Sequence, residues 1–316
     1  MNSTRLKYSI LITTFNRKKN LSVLLDSISK LTIAPFEIIV ASAGESVVDV
    51  VDHYRSVLNI KVLNCDNRGQ VFQKKQALLN LDLNKIEWIL FCDDDISIDR
   101  YALDHFTNWI DSYPNKDQIG GVGFDCVPNK WINDNRLFKL LQFLFLATNK
   151  PLGAVKKNGH ITNYMQSDKI ITTDWLNSGS IWRVNTCKKY NIAFENVPHA
   201  LGEDLIFSYS VSKTHKLIYF PPSKIYFQTM PTKLRIPTSQ AFRTRSYHML
   251  YFVLLNDELS SLGYLWTLLG RTVYTLIMTR TNMVECRKIM SIFIDIIIII
   301  CFKRNAEFVL ERRIKK

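Results

Sequence analysis

Two carboxylate clusters stand out as groups that could do chemistry. The first is Asp93, Asp94 and Asp95, which close the apolar run "EWILFCDDDIS". Like charges at the end of a buried strand repel one another and are costly to desolvate. Side chains alternate along extended backbone, so Asp93 and Asp95 are expected on one face and Asp94 on the other. Two carboxylates on one face make a site for a hard cation, Mg2+ or Mn2+, whose charge relieves the repulsion and whose other positions go to water and substrate phosphates. The plainer account is a solvated acidic loop, or caps for a helix starting near Asp99; the buried strand ahead of the triplet favours the cation. The second cluster is Glu203 and Asp204 in "LGEDLIFSYSVSK". Its plain account is acids in a first helical turn, favoured by roughly 0.3–1 kcal/mol through the helix dipole.

These groups need a scaffold, and the pattern supplies one. From residue 8, β-rich runs ("YSILITTF", "FEIIVASA", "IKVLNC", "EWILFCDDD") alternate with helical-period segments, the first carrying Leu21, Leu24, Leu25, Ile28 and Leu31 on one face. Strands apolar on both faces, separated by helices, are the mark of βαβ units in an α/β fold with a mostly parallel sheet. Ligands of such sheets sit beyond the carboxyl ends of the strands, here "TTFNR", "ASAGES", "CDNRG" and "CDDD". There is no G-x-G-x-x-G after the first strand and no P-loop, so phosphates must be held in another way.

Composition narrows the class. The 316 residues are 47% hydrophobic, enough for a catalytic-sized globule with something appended and too apolar for a disordered chain. A formal charge of +13 favours anionic partners: nucleotides, nucleic acid or membrane head groups. Six scattered cysteines without a C-x-x-C pair fit a reducing, cytoplasmic compartment. The basic start and short apolar stretch of the amino terminus have the length of a strand, and no signal peptide is expected. The six histidines show no ligand spacing, although His199 lies near the Glu203–Asp204 pair.

"YSILITTFNRKKNL", "FEIIV", "DNRGQ", "WILFCDDDI" and, downstream, "TDWLNSGSIWRV" and "ALGEDLIFSYSVSK" resemble, in kind and order, the motifs of family-2 glycosyltransferases of the GT-A fold, over residues 7 to 215. The resemblance implies transfer of a sugar from a nucleotide-diphosphate donor, with a divalent metal on the diphosphate and inversion at the anomeric carbon. It places Thr13 and Phe15 on the nucleotide, Phe15 stacking on the base, and sets Arg17 and Asp94 among the donor-binding residues. The family's acidic pair after the second strand is replaced here by Ser42, Ala43 and Gly44, so the base contact falls to Ser42 or to backbone. Arg68 and Lys74 or Lys75 lie where the family sets a basic group near the donor phosphates. Asp93 and Asp95 match the ends of the D-x-D motif, Asp95 being the more direct metal ligand, and Gln228 stands where some relatives add a metal-binding histidine. Asp204 would take the proton from the acceptor hydroxyl while Glu203 orients the acceptor. Trp175 and Trp182 offer an acceptor platform, and the Asn177–Gly179 loop would let backbone approach the donor sugar at Gly179.

The expected organisation is a catalytic region over 1–230, with a donor half to about residue 100 and an acceptor half from 101, followed by a helical, basic and apolar region over 231–316. There "IMSIFIDIIIIICF" is too short to span a bilayer and is broken by Asp295, but with six Lys and Arg in the last fourteen residues it favours peripheral contact with the inner face of a membrane. The acceptor would be a glycan or a lipid-linked oligosaccharide, and nucleic acid is not an expected partner. Two other classes share some of these features. A metal-dependent nucleotidyltransferase would release pyrophosphate, and a non-catalytic basic binder of membrane or nucleic acid would not need Asp95 or Asp204.

Overall fold

A computed structural model describes residues 6–66, 69–128, 136–188, 190, 194, 197, 201–228, 238–278 and 282–315. In chain order the elements are β1 (Tyr8–Phe15), α1 (Lys18–Ser29), β2 (Ile38–Ala43), α2 (Val48–Asp52), β3 (Ile60–Asn64), α3 (Gln70–Leu79), β4 (Trp88–Asp93), β5 (Ile96–Ile98), α4 (Ala102–Ser112) and β6 (Ile119–Val127). There follow α5 (Arg136–Leu144), β7 (Ile171–Thr173), β8 (Ser180–Arg183), α6 (Val184–Cys187), α7 (Glu203–Ser212), β9 (Lys216–Phe227), α8 (Thr238–Leu254), α9 (Ser261–Met278), α10 (Met283–Cys301) and α11 (Ala306–Val309). The chain divides into two compact units, Met1–Lys130 with Tyr164–Met230, and Trp131–Asn163 with Pro231–Lys316.

In the first unit the strands form one sheet in the order β3-β2-β1-β4-β8-β6-β9-β5, with β7 against β9. The expected βαβ layer is present: β1 runs parallel to β2 and β4, and β2 to β3. Ile10, Leu11 and Ile12 of β1 are wholly buried, because helices cover both faces. One helix, α1, lays Leu21, Leu24, Leu25 and Ile28 on the sheet. Beyond β4 the sheet turns antiparallel through β8, which also pairs with β6. Gly121 of β6 lies beneath the Trp182 ring, where a Cβ would come within 2.5 Å of it. Trp182, read as an acceptor platform, is therefore core, 2% exposed and packed 4.6 Å from Phe207.

The second unit is helical, and it claims residues 131–163, which the sequence reading had placed in the acceptor half. Side-chain packing is the reason. Asn158 Nδ2 donates to Thr267 Oγ1 at 2.6 Å, Trp266 Nε1 donates to the Leu144 carbonyl at 2.9 Å, and Gly270 is bare so that Phe145 can lie against α9. The apolar run of α10 buries Ile289, Ile296, Ile299 and Ile300. Asp295, which interrupts it, is held by Arg313 at 2.6 and 2.7 Å and accepts from the Tyr247 hydroxyl at 2.6 Å. Among the described residues no helix is long and apolar enough to cross a membrane.

Candidate active site

The carboxyl ends of β1, β2 and β4 come to one level, with Thr13 paired with both Ala41 and Asp93. β4 ends at Asp93 and a turn carries Asp94 and Asp95, so the turn, not strand alternation alone, sets where the triplet points. Asp94 is 3% exposed and faces inward, while Asp93 and Asp95 are half-buried. Each acid has a partner. Asp93 accepts from Gln70 Nε2 at 2.7 Å, and Asp94 accepts from Thr14 Oγ1 at 2.7 Å and from Arg17 Nη1 at 3.0 Å. The same guanidinium reaches Asp95 Oδ2 at 3.2 Å. Arg17, read as a donor-binding residue, thus spans two of the three acids and answers their repulsion from within the chain. Burial outweighs Thr14 and Arg17 and pushes the Asp94 carboxyl up to about 6. Burial and the neighbouring Asp93 also raise Asp95.

The turn is clamped by Gln228. Its backbone N–H donates to the Asp95 carbonyl at 2.8 Å, and its side-chain Nε2 donates to Ile96 O at 2.7 Å. Its Oε1 accepts from Asn20 Nδ2 at 3.1 Å. The position where some relatives add a metal-binding histidine is therefore here a brace between α1, β9 and the Asp94–Asp95 turn. Among the described residues no three His, Cys, Asp or Glu converge on a metal position. Asp93 and Asp95 remain two hard-oxygen donors close enough for one charge to act on the other, a set that suits a divalent cation completed by substrate and water.

The second cluster is built on α3, which buries Gln73, Lys74 and Ala77 at helical spacing, with half-buried Gln70 at its first position. Gln73 Nε2 donates to Thr14 O and Ala41 O, both at 2.8 Å, which fixes α3 beneath the ends of β1 and β2. Lys74, expected near phosphates, is instead buried, its Nζ 3.2 Å from Glu203 Oε1 and 3.0 Å from Asp204 Oδ1. The Phe91 ring lies 5.9 Å from that Nζ. Side-chain exposure separates the three: 1% for Lys74, 6% for Glu203 and 28% for Asp204. Of the three, Asp204 alone keeps a sizeable part of its side chain open to solvent. Glu203, expected to orient the acceptor, is enclosed against Lys74.

The electrostatics follow from burial. Although burial opposes its charge, Asp204 and then Glu203 hold Lys74 protonated well above the ordinary lysine range. Burial and then Asp204 raise Glu203 against the pull of Lys74. Asp204 is raised by burial and by Asp93, while Lys74 and the Ser178 backbone N–H pull it down. Ser178 precedes β8, and the next residue's N–H donates to Phe91 O at the end of β4. Asp204 therefore lies at the same sheet end as Asp93, the charge that also acts on Asp95.

The remaining expected residues divide. Thr13 and Phe15 are at the end of β1, where expected, Thr13 buried and Phe15 half-buried. Ser42 is 3% exposed and its Oγ donates to Glu45 O at 3.4 Å, so its side chain serves the β2 loop. Half-buried Trp175 meets Tyr164 edge-on at 4.9 Å. Gly179 has φ +77°, and a Cβ there would strike Ile225 at 2.1 Å, so the backbone and its packing already require glycine. Arg68 and His199 lie outside the described residues. The sequence reading did not single out Thr14, Gln70 or Gln73, for which the helical spacing of Gln70, Gln73 and Lys74 was the available signal, and it gave the Ser178 loop backbone to the donor sugar, whereas the Ser178 N–H meets Asp204.

The sequence pattern described as "Glycosyl transferase family 2" matches residues 9–178, just over half of the chain. This chain belongs to glycosyl transferase family 2. The transferase is similar to an uncharacterized glycosyltransferase, YwdF of Bacillus subtilis (strain 168), with 41% identity over 92 residues, which is 28% of this chain and 33% of that one. The match thus spans about a third of the relative. Among solved structures, S. aureus TarS 1-349 aligns over 98% of this transferase and 88% of its own chain, with TM-score 0.59 and 16% identity. A complex of that protein with UDP-GlcNAc aligns over 92% and 81%, with TM-score 0.57 and 16% identity. The mannosyltransferase PcManGT of Pyrobaculum calidifontis, in complex with GDP-Man and Mn2+, aligns over 96% and 89%, with TM-score 0.53 and 10% identity. These likenesses support the GT-A fold, and membership of the family favours glycosyl transfer over the nucleotidyltransferase and non-catalytic readings.

Proposed function

We propose that the enzyme is an inverting glycosyltransferase moving one sugar from a nucleoside-diphosphate donor to a hydroxyl of a cell-surface glycan or its lipid-linked precursor. The observation that carries this reading is the Lys74–Glu203–Asp204 cluster, in which one carboxylate stays accessible while a buried lysine keeps it from becoming a much weaker acid. An alcohol is a poor nucleophile, and a positioned base contributes typically 10²–10⁴-fold. Asp204 takes the acceptor proton as the oxygen attacks the anomeric carbon, and the C–O bond to the diphosphate breaks on the opposite side, in one displacement. Lys74 and the Ser178 N–H orient Asp204 and favour its ionised form. Asp93 and Asp95 would hold a divalent cation, which when bound neutralises charge on the departing diphosphate. Thr13 and Phe15 are assigned to the nucleotide. TarS and PcManGT, solved with UDP-GlcNAc and with GDP-Man and Mn2+, support a nucleotide-sugar donor.

The test is a screen of nucleotide sugars with Mg2+ or Mn2+, reading thermal stabilisation and nucleoside-diphosphate release. At least one donor should stabilise the protein in a metal-dependent way, and Asp95→Ala should abolish that dependence. No response to any nucleotide sugar, or pyrophosphate as product, would defeat the reading.

We also place the enzyme at the inner face of the cell membrane. Met283, Met290, Ile294 and Ile298 form an exposed stripe along α10, Phe302 continues it, and the basic carboxyl terminus follows. Vesicles containing phosphatidylglycerol should retain the protein in flotation, and raised salt should weaken the retention. Recovery wholly in the vesicle-free fraction at low salt would refute peripheral contact.

A further inference from the structure

The helical unit contains a pocket of about 420 Å³ that none of the candidate active-site residues line. Much of its wall is apolar, with Leu141, Phe145 and Phe242, but Arg245 of α8, which is exposed, half-buried Arg271 of α9 and His160 also line it. Among the described residues no Asp or Glu lines it. Arg271 Nη1 is closed off from solvent and has no hydrogen-bond partner among the described residues. Burial and the like charge of Arg245 bring Arg271 down to about 10, against a favourable influence from Tyr264. His160 is pushed down to about 4 by burial, Lys156 and both arginines. A guanidinium nitrogen shut off from water without a partner is costly, and an anion reaching Arg271 Nη1 from the side of the exposed Arg245 would remove that cost.

We propose that this pocket binds a phosphate group carried on an apolar chain, with Arg271 and Arg245 on the phosphate and Phe145, Leu141 and Phe242 against the chain. Guanidinium forks match phosphate oxygens in pairs, and two of them balance a doubly charged monoester. The apolar wall argues for the chain, because free phosphate would leave that surface wet.

The inference is independent of the transfer reading, since it is tested on the full chain without donor or metal. Calorimetric titrations compare dodecyl phosphate, inorganic phosphate and dodecyl maltoside, each below its micelle concentration. Dodecyl phosphate should bind one-to-one and at least about tenfold more tightly than inorganic phosphate, and the maltoside should not bind. Arg271→Met and Arg245→Gln should each weaken dodecyl phosphate by about tenfold or more. Unliganded Arg271→Met should melt no lower than the parent, because it loses an enclosed nitrogen without a partner. Equal or tighter binding of inorganic phosphate, binding of the maltoside, unchanged affinity in either variant, or a lowered melting temperature for Arg271→Met would overturn the proposal.

Discussion

Asp204→Asn is expected to lower kcat by about 10²–10⁴-fold while leaving donor affinity unchanged. Asparagine keeps the size of the side chain and an oxygen for the Ser178 N–H and Lys74, so the variant removes proton acceptance and little else. Lys74 retains Glu203 as counter-ion, which argues against loss of folding. The measurements are steady-state rates at saturating donor and calorimetric affinity for the nucleoside diphosphate. A kcat within threefold of the parent would remove Asp204 from the mechanism. A matching loss of donor affinity would assign it to binding instead.

Lys74→Met should have the largest effect on stability. It leaves the enclosed Glu203 and the partly exposed Asp204 without their cation, and breaking a buried pair in this way costs about 3–5 kcal/mol. The sign of its pH dependence follows from proton binding. Glu203 and Asp204 already titrate above their ordinary values of 4.5 and 3.8, so the folded state holds more protons than the unfolded one as pH rises above those values, and stability falls across that interval. Losing Lys74 raises both groups further and widens the interval upward. The deficit should therefore be largest at neutral to alkaline pH and shrink toward acid, as read by urea unfolding across pH. The acid limb of kcat/KM should move to higher pH, since Asp204 must be ionised to accept a proton. An undisturbed profile together with parent-like stability would show that Lys74 does not govern the pair.

Taken together, these expectations separate two jobs that adjacent carboxylates perform on one sheet end. Asp94 is spent on Thr14 and Arg17, and Gln228 holds the turn that carries it. Asp93 and Asp95 are left half-buried, and Asp204 keeps 28% of its side chain exposed.

The first four strands and the position of the Asp triplet were legible because burial on both faces demands continuous apolar runs, and such runs end where the polar loops begin. "IGGVGFDCV", which forms β6, escaped notice because its glycines make room for Trp182 and Leu176, packing partners far along the chain. The division of the chain was legible only in part, since residues 131–163 join the later helices through contacts such as Asn158 with Thr267.

By itself the sequence determined which acids could act and that they follow a parallel sheet, since strand period and residue type are local properties. Only the tertiary structure decided their partners. A lysine spaced for a helix face can meet solvent, phosphate or carboxylate, and the choice of Glu203 and Asp204, more than a hundred residues away, is made by the packing of α3 beneath β1 and β2.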